Sequence, residues 1–437
     1  MRHSLRHLAF ATFVSAIVIS FAQAQALADC PFDWRPGSNA GGFDGPVYSM
    51  TTWDPDASGP AAELLVVGGS FTHAGENIVN RIAAWNGATW QPLGAGMNSD
   101  VRSLCVHNGE LIAAGPFTSA DGNSCNRVAL WDGAAWQPLG PGMNEWVYSV
   151  AVHDGELYAA GVFTIAGSNS ANRVARWDGS AWQPVGGGVA GPGVPIVFAL
   201  RSHGGRLVAA GAFSSAGPVP TANVAAWDGA NWAALTSGVT GTPIPQALAL
   251  AEFNGDLIVA GSFATAGGAP AANIARWNGA AWSPLFSGTN GPIYALTVYD
   301  DGLIAAGNFT LAGGAPCQKI ARWTDIDGWQ PLAEGLNNTG RAVGAFRGEL
   351  VSGGLFTLAG GEASQFLGHW GPTCARGDMD CNSAVGPEDV EPFAAAVLLS
   401  PDIAPCDFYP ADCNGDGIAN GADIQTMVQC LLDGTCP

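Results

Sequence analysis

The chain has 437 residues, with 16 lysines and arginines against 36 aspartates and glutamates and a formal net charge of −20. Binding to a phosphate backbone depends on clustered cationic side chains, and Lys319 is the only lysine, so the composition excludes nucleic acid as a partner. Solubility explains the acidity, to which calcium sites would add only a few carboxylates.

The N-terminus predicts export. Arg2 and Arg6 precede an apolar run over 8–21, and small residues follow up to Ala28. This order is typical of a secretory signal peptide, which we assign to 1–28. The apolar run is shorter than the ~20 residues that a membrane-spanning helix needs, and no later stretch is longer. We expect a secreted protein, extracellular or at the cell surface, that does not span the membrane; Asp29 disfavours a lipid anchor on Cys30.

An internal repeat occupies residues 30–374. One phenylalanine in each unit marks it, at successive spacings of 46, 46, 50, 50, 46 and 47 residues. The marker residues are Phe71, Phe117, Phe163, Phe213, Phe263, Phe309 and Phe356. A fixed period of this length is the signature of a repeat architecture, here with seven units.

Each unit divides into four short strands, which we name a to d. In the second unit they are predicted over 101–106, 110–117, 127–131 and 136–139. Asn108-Gly109 and Asp132-Gly133 supply the positive φ angles of tight hairpins. Strand d carries a Trp-x-Pro pattern in most units, and proline is confined to edge strands, so d is the outermost strand. Four-stranded antiparallel units of this length are typical of propeller blades.

The predicted fold class is therefore all-β, a seven-bladed β-propeller of four-stranded antiparallel blades, with a small α-helical calcium-loop domain over 375–437. The seventh unit ends without a Trp-x-Pro strand, while Trp34-Arg35-Pro36 stands alone before the first unit. We expect this N-terminal strand to close blade seven. Cys30 and Cys374 then meet near one turn of that blade and could form a disulfide, although Cys374 could equally belong to the tail; non-reducing peptide mapping would decide.

The chain contains ten cysteines, which in an exported protein are expected to form disulfides. Six of them fall in the last 64 residues and mark a separately stapled tail: Cys374, Cys381, Cys406, Cys413, Cys430 and Cys436. Their pairing stays open, because six cysteines allow fifteen connectivities.

The repeat pattern Gly-x-Phe-(Thr/Ser)-x-Ala-Gly, then Asn-Arg-Val-Ala-x-Trp-Asp-Gly, then Trp-Gln-Pro-Leu-Gly resembles the kelch-like propeller repeats of galactose oxidases and of fungal cell-polarity markers. The resemblance implies the architecture and no activity, because propellers host unrelated functions. The tyrosines and histidines of the galactose-oxidase copper site have no counterpart that we can place. The turn over 177–182 also does not match the sialidase pattern.

The repeated aromatic residues favour structural roles. His107, His153 and His203 occupy the same place at the end of strand a in three units, whereas a catalytic site needs different residues from different blades. The tryptophans recur mainly as a pair in each unit, which indicates packing between blades.

Trp146 lies outside the tryptophan pairs, in a loop between blades, and is our candidate ligand contact. The b–c and d–a loops share one end of the blades and vary most in length, notably over 189–195 and 239–245. A binding site is expected at the mouth on that face.

Two loops in the tail have the spacing of calcium ligands. Oxygen ligands at positions 1, 3, 5 and 12 and a carbonyl at 7 suit a hard cation. The first loop supplies Asp378, Asp380, Asn382, the carbonyl of Ala384 and Asp389, and the second supplies Asp412, Asn414, Asp416, the carbonyl of Ile418, Asn420 and Asp423. Ser383 replaces the glycine at position 6 of the first loop, so we expect weaker Ca²⁺ binding there. Helices are predicted over 390–399 and 424–432.

A duplicated loop and helix without an entering helix resembles the dockerin type I module, over about 377–433. The resemblance implies calcium-dependent docking to a cohesin-type protein. Ser383 and the cysteines at position 4 of both loops depart from the pattern, so the contact residues are not carried over. The alternative is a calcium- and disulfide-stapled tail without a partner.

Two functions follow from these features. The first is a non-enzymatic surface protein whose propeller binds a protein or a carbohydrate and whose tail attaches it to a cohesin-like partner or another cell-surface scaffold. The alternative is a carbohydrate-active enzyme, such as a polysaccharide hydrolase, lyase or oxidase. A pair of carboxylates or a Tyr/His set at the mouth would favour the enzyme, and a mouth of Ala, Ser and Gly would favour binding; no catalytic residue is assigned.

Overall fold

A computed structural model describes residues 32–35, 42–56, 61–241, 243–372 and 423–433, and the single positions 386, 387, 390, 393, 413 and 421. The chain divides into two compact units, residues 33–371 and residues 1–32 with 372–437. All regular elements described in the first unit are β-strands. The described part of the second unit contains helix α1 (Asp423–Asp433). In the part of the chain that the structure describes, no helix combines the length and apolar character needed to cross a membrane.

The β-strands in the described residues form seven four-stranded antiparallel sheets, the arrangement of a β-propeller, so the all-β prediction is confirmed. We number the sheets 1 to 7 and letter their strands a to d from one edge to the other. The a strands are Val47–Trp53, Ser103–His107, Val147–His153, Ile196–His203, Gln246–Phe253, Ile293–Tyr299 and Gly340–Phe346. The b strands are Leu64–Gly69, Glu110–Ala114, Glu156–Gly161, Arg206–Ala212, Asp256–Ser262, Gly302–Gly307 and Glu349–Gly354.

Strands c and d complete each sheet. The c strands are Ile82–Trp85, Val128–Trp131, Val174–Trp177, Val224–Trp227, Ile274–Trp277, Ile320–Thr324 and Leu367–Pro372. The d strands of sheets 1 to 6 are Trp90–Pro92, Trp136–Pro138, Trp182–Pro184, Trp232–Ala234, Trp282–Pro284 and Gly328–Pro331. Strand d of sheet 7 is Phe32–Arg35, from the N-terminal end of the chain.

A second, two-residue hairpin follows strand b in every sheet, which the sequence did not predict. The pairs are His73–Ala74 with Asn77–Ile78, Ser119–Ala120 with Asn123–Ser124, Ile165–Ala166 with Asn169–Ser170, Ser215–Ala216 with Val219–Pro220, Thr265–Ala266 with Ala269–Pro270, Leu311–Ala312 with Ala315–Pro316, and Leu358–Ala359 with Glu362–Ala363. Val189–Ala190 and Val239–Thr240 add a third strand to two of them. Together with isolated bridges in the other five sheets, these pairings hold the d–a loops against the b–c loops.

The cores lie between consecutive sheets. Strand a of each sheet contacts strand a of the next, and strand a of sheet 7 contacts strand a of sheet 1. The cluster at that last junction combines Val47 and Leu65 of sheet 1 with Phe346, Val351 and Leu367 of sheet 7. Strands b are buried on both faces, as expected when one sheet packs on either side.

Tryptophan side chains connect the sheets at their outer edge. Fourteen of the sixteen tryptophans form one pair per sheet, with ring centroids 5.1–5.6 Å apart. The strand-d tryptophan also donates its indole N–H to a carbonyl of the preceding sheet in six sheets. The donors are Trp34, Trp136, Trp182, Trp232, Trp282 and Trp329. Trp34 reaches Leu332 O over 2.9 Å and thus makes the same contact as the other strand-d tryptophans.

Three cysteines of the sheets are free thiols, so the expectation of disulfides is wrong for them. They are Cys105, Cys125 and Cys317. Cys125 and Cys317 are buried eight residues after their marker phenylalanines, where other units have small or β-branched residues such as Ala171 and Thr221. They therefore serve as small apolar core residues. Burial raises the pKa of the Cys105 thiol to about 12, which makes it unreactive at neutral pH.

Sheet 7 contains a buried ion cluster that ties its N-terminal strand to its other strands. The carboxylate of Glu349 on strand b contacts the guanidinium of Arg35 on strand d, and His369 Nδ1 on strand c lies 3.1 Å from Glu349 Oε2. Burial alone would raise the pKa of Glu349, but the hydrogen bond with His369 and the charge of Arg35 outweigh it and hold the pKa below its ordinary value of 4.5.

This cluster predicts acid sensitivity. A carboxyl whose pKa is lower in the folded state contributes stability above its unfolded pKa and loses it as the pH falls. We expect the free energy of unfolding to drop as the pH falls below about 4.5. In the Glu349→Gln variant, the free energy of unfolding should depend less on pH in this range. Urea unfolding at a series of pH values measures this. Exposed Glu334 offers the control Glu334→Gln; equal slopes for the two variants would contradict the prediction.

Candidate functional site

A β-bulge lies at the start of strand a. The register of strands a and b shifts by one residue there in six sheets. In sheet 2, Arg102 holds the equivalent place just before the strand and donates its N–H to Ala114 O over 2.8 Å. A bulge inserts an unpaired residue and redirects its side chain. The six bulged residues together with Arg102, which we call the bulge ring, are Tyr48, Arg102, Tyr148, Phe198, Leu248, Tyr294 and Arg341.

The repeat glycine of Gly-x-Phe permits this bulge. A Cβ at Gly69, Gly161 or Gly211 would lie 2.0–2.1 Å from the carbonyl oxygen of the residue that precedes or begins strand a. The same clash, at 2.1–2.3 Å, would occur at the equivalent glycines of the other four sheets, Gly115, Gly261, Gly307 and Gly354. Only glycine allows the backbones to approach so closely. The glycine is therefore the sequence signal for the bulge.

The bulge ring belongs to the end of the sheets where loop length varies. Each ring residue follows a d–a loop, and the residue before it is buried in every sheet, as Val47 and Val147 are. All seven ring side chains are half-buried. The ring therefore forms a partly exposed rim, while the flanking positions pack between sheets.

Side chains of the bulge ring contact one another across neighbouring sheets. The guanidinium of Arg102 lies 4.1 Å from the ring centroid of Tyr48, and that of Arg341 lies 3.9 Å from the ring centroid of Tyr294. Such cation–π contacts are worth ~0.5–1 kcal/mol at exposed sites. In sheets 3 and 4, the rings of Tyr148 and Phe198 are 5.4 Å apart. Planar side chains at three places on the rim thus contact one another across neighbouring sheets.

Trp146, the predicted ligand contact, extends this rim. Its indole is 42% exposed and lies 6.1 Å from the ring of Tyr148. Trp146, Tyr148 and Phe198 therefore form a continuous aromatic run across sheets 3 and 4. The loops that lead into sheets 4 and 5 also expose apolar side chains, Val194 at 67% and Ile244 at 70%.

The charges of the rim are few. Arg102 pairs with Asp100 over 2.7 Å. The Nε of Arg341 has no hydrogen-bond partner among the described residues. The seven ring positions contain neither a carboxylate nor a histidine, and the described residues contain no cluster of three or more His, Cys, Asp or Glu that could hold a metal ion. The mouth is therefore aromatic and cationic. It has neither the carboxylate pair or Tyr/His set expected of an enzyme nor the Ala, Ser and Gly lining expected of a binding surface.

The last residues of the a strands, at the end of the sheets opposite the bulge ring, contact the next sheet. Trp53, His107 and Tyr299 reach the carbonyl oxygens of glycines in the next a–b turn, at 2.8, 3.1 and 2.8 Å. His153 Nδ1 lies 2.9 Å from Ser202 Oγ, and His203 Nδ1 lies 3.0 Å from Glu252 Oε2. These residues join neighbouring sheets, in keeping with the structural role inferred from their recurrence.

Most of the predicted metal ligands lie outside the described residues. They are Asp378, Asp380, Asn382, Ala384, Asp389, Asp412, Asn414, Asp416, Ile418 and Asn420. Asp423 is described: it is the fully buried first residue of α1, one residue before the predicted helix. Cys413 Sγ lies 3.7 Å from Met427 Sδ of α1, and Cys430 is disulfide-bonded. The predicted Cys30–Cys374 disulfide and most of the predicted helix over 390–399 also lie outside the described residues.

Comparison with known proteins gives similarities of fold. No protein-family model and no curated protein matches the sequence. Among solved structures, the chain is similar to the WD40 β-propeller domain of Doa1, with 11% identity, coverage of 77% of this chain and 96% of that one, and a TM-score of 0.48. It is also similar to the computationally designed Ika8 protein, with 14% identity, coverage of 75% and 88%, and a TM-score of 0.42.

Proposed function

We propose that the protein is a secreted or cell-surface seven-bladed β-propeller of kelch-like type that binds a ligand, a carbohydrate or a protein, across its bulge ring. The number of sheets, the strand a contacts from each sheet to the next and the mixed core of sheets 1 and 7 support the closed ring. The predicted signal peptide supports export.

The binding role is supported by a contrast between the bulge-ring positions and the packing positions of the same sheets. Packing positions repeat from sheet to sheet, as the strand-d tryptophans do, whereas the bulge ring changes between tyrosine, arginine, phenylalanine and leucine. A ring of non-identical side chains can favour one orientation of an asymmetric ligand. Tyrosine and tryptophan provide rigid, amphipathic contact area at low entropic cost, and such groups stack on sugar rings or anchor protein partners. The aromatic run of Trp146, Tyr148 and Phe198 is the expected centre.

A glycan array, followed by calorimetry with the ligand found, tests this role. We expect the Trp146→Ala and Tyr148→Ala variants to bind at least roughly tenfold more weakly, since loss of a hot-spot aromatic residue costs ~2 kcal/mol. Phe286, which is 73% exposed and packs on Trp323 outside the bulge ring, provides the control Phe286→Ala. Equal losses for all three variants would refute a site at the rim.

The tail is proposed to attach the propeller. Two dockerin-like loops with calcium would dock to a cohesin-like protein or a cell-surface scaffold. We expect a cohesin module to co-precipitate with the protein in Ca²⁺ and not in EGTA. Because Ser383 replaces the turn glycine of the first loop, Asp412→Ala should weaken calcium binding more than Asp378→Ala. Calcium-independent capture, or the reverse order of the two variants, would contradict the proposal.

A further inference from the structure

A cavity of about 620 Å³ lies at the tight-hairpin end of sheets 4 to 6, opposite the bulge ring. Its walls come from the last residues of strands a and from the a–b turns of these sheets, and include Arg201, Glu252, Asn254, Thr297 and Asp301. Its volume is within the range of small-molecule sites. Ionisable side chains from three different sheets thus face one space.

Arg201 departs from the repeat. The strand register aligns it with Thr51, Cys105, Ala151, Ala251, Thr297 and Gly344 in the other sheets. A long cation therefore replaces a small residue at this one position. Its Nε is shielded from solvent and has no hydrogen-bond partner in the described structure, and burial lowers the pKa of the guanidinium against the opposing charge of Glu252. A ligand carboxylate can accept a hydrogen bond from this guanidinium.

Asp301 departs from the repeat in its backbone. The second residue of the tight a–b turn is glycine in sheets 2 to 5 and 7, as in Gly255 and Gly348, but in sheet 6 it is Asp301, with φ of 52°. Non-glycine residues at this φ carry strain, and strained residues concentrate at functional sites. The replacement puts a carboxylate at the edge of the cavity, at a turn position that is glycine in every other tight turn.

Glu252 is the third departure. Its position is apolar or hydroxylic in the other sheets, for example Val152, Ser202 and Val298. It lies beside His203 and lines the cavity with Asp301. The cavity therefore combines one guanidinium with two carboxylates.

We propose that this cavity binds a small molecule that carries a carboxylate, held by Arg201, and hydroxyl or ammonium groups, held by Asp301 and Glu252. A guanidinium forms paired hydrogen bonds with a carboxylate, and the two acidic side chains accept hydrogen bonds from donors on the other side of the ligand. Sugar acids and free amino acids both have this chemistry. The site is independent of the bulge ring, because the two lie at opposite ends of the sheets.

Calorimetry on the full chain tests the proposal with D-glucuronate and L-threonine, each beside a counterpart that lacks the carboxylate, D-glucose and L-threonine amide. We expect either D-glucuronate or L-threonine to bind at least tenfold more tightly than its counterpart. The one that does so shows whether the ligand is a sugar acid or an amino acid. Arg201→Met should abolish this difference. Arg206→Met changes an exposed arginine outside the cavity on the same hairpin and should leave it intact. Binding of neither carboxylate, or binding that persists in Arg201→Met, would overturn the proposal.

Asp301→Gly provides a second test that does not depend on the folding of the Arg201 variant. Glycine relieves the positive φ, so the melting temperature should stay the same or rise by about 1–2 °C. Carboxylate binding should nevertheless weaken several-fold. A variant that is as stable and binds as tightly as the original protein would remove Asp301 from the site and count against the proposal.

Discussion

We expect the Asn223→Ala variant to lose about 2–4 kcal/mol of unfolding free energy, from two lost hydrogen bonds and an unfavourable backbone conformation. Asn223 is 6% exposed and has φ of 67°. Its Oδ1 accepts the N–H of Phe213 over 3.0 Å, and its Nδ2 donates to Val239 O over 2.7 Å. These bonds join the marker phenylalanine to the next d–a loop, so alanine leaves both partners unpaired.

Two further variants separate the causes. Asn223→Gly tolerates the positive φ and removes only the hydrogen bonds, so its loss should be smaller. Asn231→Ala changes an exposed asparagine of the same sheet and should change stability by less than about 0.5 kcal/mol. Denaturant unfolding measures all three. An Asn223→Ala variant as stable as Asn231→Ala would show that the side-chain bonds contribute nothing.

The position of Asn223 has positive φ in every sheet, although no sheet has glycine there. The residues are Arg81, Arg127, Arg173, Asn223, Asn273, Lys319 and Phe366, with φ from 65° to 76°. Several carry side chains that bond back to nearby groups, as Arg127 does to Pro116 O over 2.8 Å. This explains why strand c begins at Val128 and not at the predicted residue 127. Residue type did not reveal the turn, because arginine rarely adopts this conformation.

The strands could be predicted because their signals are local. Asn108-Gly109 and Asp132-Gly133 fix two hairpins of sheet 2, and the Trp-x-Pro pattern identifies an edge strand without reference to the rest of the chain. The bulge ring could not be predicted in the same way. Its residues share no type, and the glycine that permits the bulge lies on the neighbouring strand, so the signal appears only when the two strands are paired.

The cavity residues carry a different kind of signal. Arg201 and Asp301 differ from their counterparts in the other units, and an alignment of the seven units contains that information. Their meeting in space depends on the curvature that brings sheets 4 to 6 together, which the sequence pattern does not specify. In this repeat protein, the residues that recur from unit to unit thus specify the fold, and the residues that differ between units form the binding sites.

The second large effect is expected at the closing strand. The Trp34→Ala variant should lose about 3–5 kcal/mol, as other buried tryptophan truncations do, because Trp34 is 3% exposed, packs 5.6 Å from Trp370 and donates to Leu332 O. Trp34→Phe should lose about 1 kcal/mol, since it keeps most of the packing and removes the hydrogen bond.

Trp146→Ala is the matched control for this prediction, because it removes an indole that is 42% exposed and lies outside the pairs; its effect on stability should stay below about 0.5 kcal/mol. Thermal and denaturant unfolding of the three variants give the comparison. Only 4 residues form the N-terminal strand, yet they complete the sheet whose core is shared with sheet 1. A large loss at Trp34 therefore means that the N-terminal strand stabilises the last sheet. Equal stability of Trp34→Ala and Trp146→Ala would mean that sheet 7 holds without its fourth strand.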